Sequence, residues 1–137
     1  MSTDLPICAT CGVQYPAPRE DCPICLDERQ YVGWDGQRWT TLAELRDAGH
    51  RGVTRPEGPG VVGVGAEPPT AIGQRALLVR SSSGNVLWDM ISYLDDDLAA
   101  AVTELGGVSA IAISHPHFYG SMIEFAHAFG APVYIHG

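Results

Sequence analysis

The chain has 137 residues, a hydrophobic content of 45% and a formal net charge of -8 at pH 7, which fits one globular domain with a small module beside it. The acidic balance excludes a nucleic-acid backbone or an anionic membrane surface as partner, because both select a basic face. With no apolar run of about 18 residues and no signal-peptide character in Met1-Ser2-Thr3-Asp4-Leu5, a cytoplasmic location is expected.

Residues 1–33 hold all the cysteines, as Cys8-x-x-Cys11 and Cys22-x-x-Cys25. Two such knuckles can place four thiolates at tetrahedral corners around one ion, and zinc is the usual occupant. Pro16, Pro18 and Pro23 exclude a helix here. Too few large apolar residues are present for a core, so metal binding would supply the folding free energy. The expected unit is a small zinc-ribbon-like module with a closed, structural site. Iron in a rubredoxin-like site, a redox dithiol and four buried free cysteines are the alternatives.

Residues 34–54 read as a linker with a short helix. Trp34 and Trp39, with Tyr31 before them, pack the module against the next domain or form an aromatic docking patch. Thr41-Leu42-Ala43-Glu44 is a capping box, and Gly49 closes the helix. His50 then lies where a cation interacts well with the helix dipole. Residues 51–74 are rich in Gly and Pro and read as loop or irregular strand, with a possible short strand at Val61, Val62 and Val64. Gly63-x-Gly65 has Pro68-Pro69 after it and no helix, so it is not a phosphate loop.

From Gln74 the pattern sharpens. Strands are predicted over 75–80 and 86–91, joined by a turn as a hairpin. Asp95 caps a helix over 96–105, with Asp96 and Asp97 in its first turn as dipole partners rather than a metal cluster. Leu94, Leu98, Val102 and Leu105 recur at helical spacing and face the core. Residues 108–113 form an unbroken apolar strand. Ser121-Met122-Ile123-Glu124 opens a helix that ends near Gly130, and 132–136 is a last strand. The final strand, helix, strand unit should be parallel.

His115 and His117 come directly after the apolar strand. Residues two apart in an extended segment point to one side, so both imidazoles could meet one ion at the carboxyl end of a strand, where α/β folds place their chemistry. A His-x-His pair alone reads equally as two ordinary surface histidines. His127 in the last helix and His136 in the last strand read as plain polar positions, with a metal role as the alternative.

Ser114-His115-Pro116-His117-Phe118-Tyr119-Gly120 comes after Gly106-Gly107-Val108 and an apolar strand, and precedes a helix and Ala131-Pro132-Val133-Tyr134-Ile135-His136. Together with Ile72–Leu78 and Gly84–Asp89, this run resembles the metallo-β-lactamase superfamily over residues 55–137. The resemblance implies an α/β fold, one half of the α+β sandwich of that type, behind the zinc module. It implies a metal-dependent hydrolase acting on a small-molecule substrate through metal-bound hydroxide, with His115 and His117 as ligands of a second metal. The family motif is His-x-His-x-Asp-His; Tyr119 and Gly120 stand at its last two places, so the metal site is degenerate. Asp89, at a strand end, would support the ligands by hydrogen bonds or is an exposed strand-end acid, and Tyr119 would replace the missing Asp as ligand or acid or simply pack. The family's second half is not in these residues, which implies an incomplete chain, a homodimer or a second-half partner. The alternative function is a non-catalytic zinc-binding module that docks on another protein. Every basic residue is Arg, a composition that suggests a GC-rich bacterial genome.

Overall fold

A computed structural model describes residues 4–25, 37–71, 74–115 and 119–135. Tyr31, Trp34, His117 and His136 lie outside the described residues. Strand β1 (Ile7–Cys8) pairs antiparallel with β2 (Trp39–Thr40). Helix α1 (Leu42–Asp47) comes next, and the Glu44 backbone N–H donates to the Thr41 hydroxyl at 3.1 Å, the cap that the sequence announces.

The larger unit is a mixed six-stranded sheet whose strands lie in chain order. Strands β3 (Arg51–Gly58), β4 (Val61–Glu67), β5 (Ala76–Val79) and β6 (Val86–Trp88) are antiparallel neighbours. Strands β7 (Ala110–Ile113) and β8 (Val133–Ile135) continue it in parallel. Helix α2 (Asp96–Glu104) links β6 to β7, and α3 (Met122–Phe129) links β7 to β8. The hairpin, both helices and the parallel strands occur where the sequence places them.

Residues 51–74, read as loop or irregular strand with a short strand at Val61–Val64, are for the most part a long hairpin that extends that strand both in length and in pairing. Strand β3 is an edge of the described sheet, and an edge is where Pro is tolerated, because its missing N–H takes nothing from a ladder. Pro56 sits there, next to a register shift between Pro56 and Gly58. The glycines have packing reasons. A Cβ on Gly63 would meet the Glu57 and Arg75 side chains, and one on Gly52 would lie 2.5 Å from the Leu98 Cβ. Gly52 thus lets α2 lie directly on β3.

Side chains alternate across the sheet. The row Pro56, Val62, Leu78, Leu87, Ile111, Val133 shares one face. Leu78, Leu87 and Ile111 are fully buried there, packed in one cluster with Leu98 and Val102 of α2 and Phe125 of α3. Both helices therefore cover this face. The other face carries the row Arg55, Gly63, Leu77, Trp88, Ala112, Tyr134. Asp95 ties the two layers together: Oδ1 accepts from the Leu98 N–H at 2.7 Å, and Oδ2 from the Gly52 N–H at 3.1 Å. Among the described residues no helix is long and apolar enough to cross a membrane.

Candidate metal centre

The knuckles are built by short backbone loops. The Cys8 N–H donates to the Val13 carbonyl at 2.9 Å, the Gly12 N–H to the Cys8 carbonyl at 2.8 Å, and the Cys25 N–H to the Cys22 carbonyl at 3.0 Å. Gly12 takes a φ of +82, a left-handed turn that folds the first knuckle back on itself. The result brings the cysteines of both pairs together. All four thiols are free and buried, and their Sγ atoms lie within 4.8 Å of one another. Cys8 and Cys25 are 3.6 Å apart and Cys11 and Cys22 3.7 Å. Thiolates about 2.3 Å from a central ion stand about 3.8 Å apart at tetrahedral corners. A disulfide would bring two sulfurs to about 2.05 Å, so the spacing is that of a ligand set. Four cysteines so placed can hold a metal ion.

The electrostatics agree. Hydrogen bonding with Cys11 draws the Cys8 thiol down to about 4, and the same interaction together with burial pushes Cys11 far up. Burial pushes Cys25 up to about 12. Four buried thiols cannot all ionise side by side without a cation between them. Neighbours add polar support: the Gln37 side-chain amide donates to Cys8 Sγ at 3.1 Å, and the Tyr15 hydroxyl is 3.1 Å from Cys22 Sγ. Burial and that thiol contact push the Tyr15 phenol well up. Trp39 meets the Tyr15 ring edge-on, with centroids 5.7 Å apart, and Arg19 stands 4.9 Å from the ring centroid. Neither Gln37 nor Tyr15 is marked by spacing in the sequence, because contacts to sulfur from residues outside the knuckles leave no periodic signal.

The cluster is seated against the segments that lead into β5 and α3 of the larger unit. The Gln14 N–H donates to the Gly120 carbonyl at 3.0 Å, and the Gln74 side-chain amide to the Cys11 carbonyl at 2.5 Å. Half-buried Tyr119 packs against the cysteines on one side and the main core on the other. It bridges the two clusters.

Asp89 sits at the end of β6 with φ 62 and is buried. Its Oδ1 accepts from both the N–H and the hydroxyl of Ser114, each at 2.8 Å. The carboxylate therefore fixes the start of the turn that carries His115, which is exposed. His127 is exposed on α3. The His50 Nδ1 lies 2.8 Å from the Pro68 carbonyl oxygen. Among the described residues, the four cysteines are the group of potential ligands close enough to share an ion.

Comparison with known proteins finds a relative 47% identical over 134 residues, the uncharacterized protein YmaE of Bacillus subtilis (strain 168). The match covers 95% of this chain and 49% of the relative, so the chain spans about half the length of the curated relative it matches. No family model matches, and no solved structure matches. The resemblance to the metallo-β-lactamase superfamily is thereby corrected. It rested on a short histidine motif, the segments Ile72–Leu78 and Gly84–Asp89 and an element order shared by many α/β folds, and neither a family model nor a structural neighbour supports it. The described residues form a small domain with a four-cysteine group, not a clear half of that fold.

Proposed function

We propose that the four cysteines form a structural zinc centre, and that the chain serves as a non-catalytic, zinc-stabilised module that docks on another protein or protein segment. One observation carries this reading: four buried sulfurs within 4.8 Å of one another, two of whose separations are near the edge of a zinc tetrahedron. Four thiolates fill the coordination sphere, so the ion has no open position for water and acts by folding the segment. Tyr119 and the Gln14 and Gln74 contacts then transmit that order to the sheet.

The test is zinc per chain by elemental analysis on freshly purified protein. One equivalent is expected, lost in Cys22→Ser and retained in a His115→Ala/His117→Ala variant. Native protein without zinc refutes the centre. A second equivalent that disappears in the histidine variant refutes the non-catalytic reading, favours a metal-dependent hydrolase and would call for hydrolase assays.

A further inference from the structure

The sheet face opposite α2 and α3 is not covered among the described residues. Trp88 is 44% and Tyr134 63% exposed, in one register row, and Val79 and Val86 are exposed in the next. Four large apolar side chains side by side on rigid strands form a patch, not scattered surface residues. Towards β3 and β4 the same face turns polar: glycines floor it, and Arg75 pairs with Glu57 and Arg55 with Glu67. An apolar centre with a charged margin is the make-up of a specific contact.

The apolar centre is small. Four strands of about four residues, spaced about 4.8 Å apart and rising about 3.3 Å per residue, give a footprint of roughly 250 Å². Even doubled for side-chain relief, that falls short of the ~800 Å² per partner of a stable free complex. A tethered neighbour needs far less, because its effective concentration reaches the millimolar range. The relative has chain enough to form such a neighbour: 51% of it has no counterpart in the matched region (100% minus the 49% covered).

We infer that this face is the seat of a second unit, equivalent to the part of the Bacillus relative that these residues do not match. That unit presents an apolar surface to Trp88 and Tyr134 and polar groups to the Arg55 and Arg75 margin. The inference stands apart from the zinc centre, which lies at the other side of Tyr119 from the main core.

The test compares two proteins. Trp88→Arg is made in this 137-residue chain, and the aligned position is changed to Arg in the full-length relative. In this chain the residue is on open surface, so melting should move by no more than about 2 °C. In the relative it is covered, and melting should fall by about 8 °C or more. Sedimentation should show the chain as a monomer. Equal small shifts in both proteins overturn the inference. So does a chain dimer that Trp88→Arg splits, since the occupant would then be a second copy. Tyr134→Arg, at the most exposed position of the patch, repeats the comparison should the Trp88 variant misfold by circular dichroism.

Discussion

Gly12 joins the metal centre to the sheet, and Gly12→Ala measures how tightly. Two costs arise. The φ of +82 puts an L-residue in the left-handed region, which costs about 1–2 kcal/mol. A Cβ built there would also collide with the Ser92 Oγ and lie 2.6 Å from the Ser92 Cβ. Ser92 is 1% exposed and has nowhere to withdraw, and overpacking of this kind costs about 1–3 kcal/mol. The sum is about 2–5 kcal/mol, or a melting shift of about 8–20 °C for a chain of this size. Guanidinium unfolding at fixed free zinc reads it, because ligand concentration otherwise shifts apparent stability. Ser92→Gly separates the two causes. It removes both clashing atoms, and its hydroxyl has no hydrogen-bond partner to strand. The double variant should recover about 1–3 kcal/mol as a coupling energy, with the backbone cost remaining. Unchanged stability in Gly12→Ala, or no recovery in the double variant, refutes the close docking of knuckle and sheet.

Two more outcomes rest on single contacts. Asp95→Ala removes the α2 cap and strands the Gly52 N–H, a loss of about 2–4 kcal/mol. Hydrogen exchange should speed at the Gly52 and Leu98 amides together, and exchange at Leu98 alone would deny the link. Burial, with the Asp95 charge nearby, pushes the Tyr93 phenol up to about 12, against about 10 unfolded. The folded state thus holds the proton more tightly. This stabilisation is complete below pH about 10 and lost as pH rises through about 12. Urea melts across that window should show a shallower decline for Tyr93→Phe than for the native chain; parallel declines would remove Tyr93 from the account.

The four-cysteine group is legible in the sequence because cysteine pairs are rare and two Cys-x-x-Cys knuckles suit one ion. The helices are legible because Thr41 and Asp95 cap them through their own side chains. Ser121, an N-cap by its sequence context, makes no side-chain cap bond; the other end of α3 closes at Gly130 with φ 61, as the sequence places it. Strand β3 and the full length of β4 are hidden because their Gly and Pro serve tertiary needs: Gly52 makes room for Leu98, and Gly63 for Glu57 and Arg75. Local propensity cannot register a neighbour that arrives from a distant part of the chain. Asp89 reads in the sequence as a strand-end acid, with support for metal ligands or free exposure as its options. Its actual bonds go to Ser114, a partner that only the parallel pairing of β6 and β7 brings near. The superfamily resemblance fails for the opposite reason: a motif as short as His115-Pro116-His117 is matched by chance on many folds.

The edge formed by β3 has one more consequence. Pro56 offers no N–H, the strand is out of step between Pro56 and Gly58, and Arg51, Arg55 and Glu57 line it. An incoming strand would meet a gap in the hydrogen-bond ladder and a row of charges that it would have to desolvate. That side of the molecule is therefore a stop against fibril-like stacking, so a partly unfolded copy has no template there on which to elongate.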